Sequence, residues 1–63
     1  MKLKTLIVED ESNSREILKN YLTKYCPTIE VLGEATNVND ALIFIQENNL
    51  DLVFLDVEMP FGN

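Results

Sequence analysis

The sequence predicts an α/β chain built on a parallel sheet, and three observations predict it. Two apolar runs, Leu6-Ile7-Val8 and Leu52-Val53-Phe54-Leu55, each stop on an acidic residue, Glu9 in one case and Asp56 in the other. Between them lie two stretches with apolar residues at helical spacing. A third short apolar segment separates those stretches. Strand, helix, strand, helix, strand with short connections calls for parallel strands joined by helical crossovers. Right-handed crossovers can place the two helices on opposite faces only if the chain reverses direction about the first strand. The strand order is then two-one-three, the βαβαβ half of a doubly wound sheet.

Each element has its own warrant. Leu3 to Val8 is apolar apart from Lys4 and Thr5, and ends on Glu9-Asp10-Glu11. Ser12, Asn13 and Ser14 are good helix caps, and Asn13 with Glu16 has the spacing of a capping box. Ile17, Leu18, Tyr21, Leu22 and Tyr25 then form one apolar helical stripe, expected to pack inward with the tyrosines toward its rim. That helix, Ser12 to Tyr25, ends near Cys26 because Pro27 disfavours a helical residue before it. Glu30 to Ala35 reads as the second strand, weakened by Gly33. Asn37 with Asp40 three residues on opens a second helix, Val38 to Glu47, with Val38, Ala41, Leu42 and Ile45 on its face. Ile43 and Phe44 fall outside that stripe and widen the apolar surface, as expected of a flank that further parts of a domain cover. Asn48-Asn49 ends the helix. Val, Phe and Leu in a continuous block, Leu52 to Leu55, suit a strand covered on both faces, and Pro60 cannot continue a central strand.

Composition narrows the function. The chain has 63 residues, 46% apolar and 25% charged, enough for one small folded domain with a thin margin of stability. Eleven acidic against five basic residues give a net charge of −6, which opposes direct nucleic-acid binding by this segment. Cys26 is the one cysteine, so no internal disulfide is available, in keeping with a cytoplasmic location. The apolar run behind Met1-Lys2 breaks off at Glu9, too short for a signal or membrane segment.

In an open sheet of order two-one-three, ligands bind beyond the carboxyl ends of the strands where the order reverses, here between strands one and three. Glu9, Asp10 and Asp56 all end there. Taken alone, Glu9-Asp10-Glu11 could simply complement the positive end of the following helix. Joined by Asp56 from the neighbouring strand end, the carboxylates repel unless protonated or neutralised by a cation. With no histidine and a single cysteine, hard oxygen ligands favour Mg²⁺. A carboxylate beside Mg²⁺ can attack a phosphoryl group, and Asp56 is the best-presented nucleophile.

At these residues the chain resembles the receiver domain of two-component response regulators. Leu6-Ile7-Val8-Glu9-Asp10-Glu11 is similar to the family's acidic pair at the end of strand one. Asp51-Leu52-Val53-Phe54-Leu55-Asp56-Val57-Glu58-Met59-Pro60 is similar to its phosphoacceptor strand and loop. The resemblance implies a flavodoxin-like fold in which Asp56 accepts phosphate from a sensor histidine kinase. It also implies that Asp10 and Asp56 ligate Mg²⁺, that Glu9 holds it through water, and that the main-chain carbonyl of Glu58 completes the protein ligands. Glu9-Asp10, where many relatives have two aspartates, together with Pro60-Phe61-Gly62-Asn63 resembles receivers attached to LytTR-type DNA-binding domains. On this likeness residues 1–63 are a truncated receiver: strands four and five and helices three to five are absent, and with them the family's Ser or Thr and its Lys. The module is then a self-phosphorylating switch rather than a turnover enzyme, and the 63-residue piece alone is expected to be weakly competent or incompetent.

A nucleotide- or flavin-binding module would need a Gly- or hydroxyl-rich loop after strand one, where three acids stand instead. An aspartate-nucleophile phosphatase would need an Asp-x-Asp pattern there, which Glu9-Asp10-Glu11 does not supply. A pseudo-receiver, an interaction module without phosphoryl chemistry, stays open as the alternative. Finally, the far edge of Leu52 to Leu55 would carry unpaired backbone groups without a fourth strand, so self-association through the third strand, paired antiparallel about a two-fold axis, is expected.

Overall fold

The computed structural model describes residues 2–55. Five elements follow one another: β1 (Leu3–Val8), α1 (Ser12–Tyr25), β2 (Ile29–Ala35), α2 (Val38–Glu47) and β3 (Leu52–Leu55). The strands are parallel and lie in the order β2-β1-β3, as the crossover argument requires. Being central, β1 is sealed: Thr5, Leu6, Ile7 and Val8 have no solvent exposure. Burying one such aliphatic side chain contributes about 1.5–3 kcal/mol, so this short strand supplies much of the core.

Side chains alternate across the pleat, so Leu6 and Val8 face one side of the sheet and Thr5 and Ile7 the other. Leu6 and Val8 meet Ala35 of β2 and Ala41 of α2, with Phe44 and Leu50 packed against them. Right-handed crossovers out of a reversing strand order then assign α1 to the Thr5 and Ile7 side.

One irregularity decides what each helix meets. Thr5 pairs with Val31, yet Leu6 pairs with Gly33, so the register slips by one residue and Leu32 is passed over. A one-residue slip exchanges the faces of everything beyond it. Gly33 and Ala35 therefore stand beside Leu6 and Val8, under α2, while Glu34 pairs with Ile7 on the side of α1.

Gly33 has a packing role rather than a merely weakening one. A Cβ built there would lie 2.5 Å from Cε2 and 2.6 Å from Cζ of Phe44, so the ring occupies the space a side chain would need. Phe44 is thus part of the core, and the expectation that it sits on a flank awaiting cover is corrected. The inward face of α2 runs through Ala41 and Phe44, while Val38, Leu42 and Ile45 are 41–52% exposed. A glycine on the facing strand lets a bulky ring win the inward position.

The same correction applies to α1. Of its expected stripe only Leu22 is buried and Leu18 half-buried, whereas Ile17, Tyr21 and Tyr25 face solvent at 57–69% exposure. The two tyrosine rings pack on each other with centroids 4.9 Å apart. Arg15 and Lys19 share the inward side with Leu22, because Glu34 waits for them on the sheet. Nor do Ser12 to Ser14 cap this helix. Glu11 does, from an extended backbone, its carboxylate accepting the Ser14 N–H at 2.7 Å. A charged acceptor there gains from the helix dipole as well as the bond.

Local signals succeed elsewhere. Asn37 caps α2 by accepting the Asp40 N–H at 2.8 Å, and its side-chain amide donates back to the Asp40 carboxylate at 3.1 Å. Cys26 closes α1 through its N–H to Leu22, and the Asn48 amide donates to the Phe44 carbonyl at the end of α2. The entry to β3 is fastened to β1 twice: the Lys4 N–H donates to the Asp51 carboxylate, and the Asp51 N–H to the Lys4 carbonyl.

Candidate functional site

The carboxyl end of β1 carries the site. Val8 is paired with Ala35 on one side and Leu55 on the other, the last pairs of both ladders among the described residues. The strand order reverses about β1, and the carboxyl ends of strands at such a reversal are where open parallel sheets bind ligands. Glu9 follows directly, and its N–H extends the β1–β2 ladder by donating to the Ala35 carbonyl at 3.0 Å. The residue is 4% exposed. Burying a carboxylate is costly unless donors reach it, and the Glu11 N–H donates to Glu9 Oε2 at 3.1 Å.

A chain of such bonds shapes the loop. Glu9 accepts from Glu11, Glu11 accepts from Ser14, and the Arg15 N–H donates to the Glu11 carbonyl at 3.0 Å. From the far side, Arg15 Nη1 donates to the Glu9 carbonyl at 3.0 Å. None of these bonds uses the Asp10 carboxylate, which is exposed. The backbone and the two glutamates are engaged in holding the turn, and Asp10 is left facing solvent.

Glu34 ties this loop to the sheet. Its carboxylate accepts from Arg15 Nε at 2.9 Å and from Lys19 Nζ at 3.0 Å. The Lys19 bond holds the Glu34 carboxyl below the usual carboxylate range, with desolvation opposing and the Arg15 bond adding to it. The same bond to Glu34 raises the Lys19 ammonium above its ordinary value.

Of the residues expected in the site, Glu9 and Asp10 stand together at the end of β1, while Asp56 and Glu58 lie outside the described residues. Among the described residues no group of three or more histidine, cysteine or acidic side chains forms a metal cluster. Arg15 and Glu34 were not anticipated. Their only sequence signal is that Arg15 and Lys19 stand four apart on one helical face; the acceptor they share is set by the register of β2. A separate open groove of about 380 Å³, lined by Ile45, Asn48, Leu50, Leu52 and Val53 among others, lies at the opposite end of β3 from the acidic pair.

The family model described as the response regulator receiver domain matches residues 5–63. This chain belongs to the response regulator receiver family. The receiver chain is 43% identical over 61 residues to "Sensory transduction protein LytT" of Bacillus anthracis, covering 97% of this chain and 24% of that protein. The protein of the same name from Bacillus cereus is 41% identical over the same share. A "Protein-glutamate methylesterase/protein-glutamine glutaminase" of Pyrococcus horikoshii is 41% identical over 62 residues, 98% of this chain and 17% of that protein. The receiver chain thus spans about a quarter or less of the length of these relatives. No solved structure gives a significant match. Family and topology agree: this is the β2-β1-β3 portion of a flavodoxin-like receiver of two-component signalling. Among the described residues no helix is long and apolar enough to cross a membrane.

Proposed function

We propose that residues 1–63 are the phosphoacceptor half of a receiver whose remaining elements are contributed by further chain, with Asp56 taking a phosphoryl group from the phosphohistidine of a sensor histidine kinase. The observation that carries this reading is the pairing of Val8 with Leu55, because the next residue of each strand in sequence is a carboxylate, Glu9 and Asp56. In the transfer, an Asp56 oxygen bonds to phosphorus as the bond from phosphorus to the donor histidine breaks. The electron pair of that bond returns to the imidazole nitrogen. The module acts as a switch and not as a turnover enzyme, is cytoplasmic, and makes no direct contact with nucleic acid.

The donor chemistry of the acidic loop fits Mg²⁺, which takes one or two carboxylates and keeps several waters. Asp10 presents an exposed carboxylate for it, while the Glu9 carboxylate accepts from the Glu11 N–H and the Glu9 carbonyl from Arg15. In the proposed site Asp10 and Asp56 are direct ligands, Glu9 acts through water, and Glu58 offers its main-chain carbonyl. When bound, Mg²⁺ would balance negative charge on the transferred oxygens.

The edge position of β3 supports a second property of the 63-residue chain on its own. Among the described elements β3 packs against β1 alone, and Leu55 is 65% exposed. Such an edge invites another strand, and antiparallel pairing of two copies of β3 is the form proposed. Sizing of the isolated chain as a monomer at high concentration would exclude it.

The phosphoacceptor reading is tested on the intact protein with acetyl phosphate, Mg²⁺ and mass spectrometry. An acid-stable, base-labile adduct on Asp56, lost in Asp56→Asn, is the expected result. Absence of any adduct while Mg²⁺ still binds would make the module a pseudo-receiver.

A further inference from the structure

Arg15 joins three elements, two through its guanidinium and the third through its own backbone. Its Nε reaches Glu34 on β2, its Nη1 reaches the Glu9 carbonyl after β1, and its own backbone begins the hydrogen bonding of α1. Its side chain is 20% exposed, so the guanidinium is held among these partners rather than waving in water. A guanidinium donates from a rigid fork, and fixing one end of the fork orients the other.

We propose that Arg15 is a positioning residue for the acidic pair, holding the main chain at Glu9 so that the Asp10 carboxylate is presented to the cation; this rests on the Mg²⁺ reading above. Glu34 serves as its anchor. The register slip at Leu32 is what brings Glu34 to the side of α1, so the slip, the ion pair and the loop form one device.

Charge and position predict opposite outcomes, which makes the inference testable. Arg15 is a cation close to a cation site, so through charge alone it disfavours Mg²⁺, and Arg15→Gln would tighten binding. As a positioning residue it favours Mg²⁺. Residues that orient metal ligands typically cost 10–100-fold in affinity when replaced, and the lower end is expected for a main-chain anchor. In the intact protein, titrated with MgCl₂ at fixed ionic strength, Arg15→Gln and Arg15→Lys should each raise the Kd about 10-fold. The lysine variant keeps the charge and loses the fork. Glu34→Gln should act in the same direction but less, because the bond to Glu9 remains. Amide hydrogen exchange at Glu9 to Glu11, measured without metal, should quicken in both Arg15 variants. Tighter or unchanged Mg²⁺ binding in Arg15→Gln, with exchange as in the wild type, overturns the proposal. A wild-type protein that does not bind Mg²⁺, but whose Arg15 variants still loosen those amides, overturns the metal reading and supports the clamp.

Discussion

The two sides of the sheet are held by different physics, although both draw on one three-residue stretch of β2, Gly33 and Ala35 facing one way and Glu34 the other. Under α2, Gly33 and Ala35 offer a flat surface on which Phe44 and Ala41 sit, an apolar contact with no ionic component. On the side of α1, Glu34 draws in Arg15 and Lys19, and one leucine, Leu22, is buried. Apolar packing is undirected and does not titrate, whereas the ion-paired side is directional and reaches the acidic loop through Arg15. The side on which the proposed positioning of the acidic pair rests has the directional contacts. The other side supplies bulk stability.

Breaking either anchor should have the largest effect. Leu22→Ala on α1 and Phe44→Ala on α2 are each expected to cost about 2–4 kcal/mol, by lost burial and the cavity left behind. That is a large fraction of a domain's stability, and chemical denaturation of the intact protein should show the loss in the receiver transition.

Gly33→Ala comes next. Its new methyl must displace the Phe44 ring, and overpacking of this kind costs about 1–3 kcal/mol. The comparison is sharpened by adding Phe44→Leu: the double variant should recover part of the loss in a double-mutant cycle, because the methyl then meets a smaller side chain. Additive losses would mean that the ring does not fill the space over Gly33.

Glu34→Gln should be mildest, about 0.5 kcal/mol at neutral pH, as befits a partly exposed pair screened by solvent. Its sign with pH is fixed by the direction of the shift. The folded carboxyl titrates below its ordinary value of 4.5, so its contribution is present above that value and is lost as pH falls through the lower folded value. Denaturation curves from pH 7 to 3 should therefore converge for wild type and Glu34→Gln at the acid end. A difference that persists unchanged at pH 3 would show that Glu34 acts through packing rather than charge.

The order of the five elements and the arrangement two-one-three were legible in the sequence, because helical and strand periodicity and the hand of crossovers are local rules. So was the placement of Glu9 and Asp10 at a strand end, since an apolar run that stops on acids marks where burial stops. Asn37 announced its own cap for the same reason: a cap and the N–H it satisfies are three residues apart. Tertiary structure alone decided which stripe of each helix faces inward. Tyr21 and Tyr25 match the period of a buried face as well as Leu18 and Leu22 do, and only the partner surface breaks the tie. The slip at Leu32 is likewise invisible in the chain, being a relation between two strands. From it follow the seat of Phe44 on Gly33 and the meeting of Arg15 with Glu34, contacts between residues far apart in sequence whose free energy exists only once the sheet brings them together.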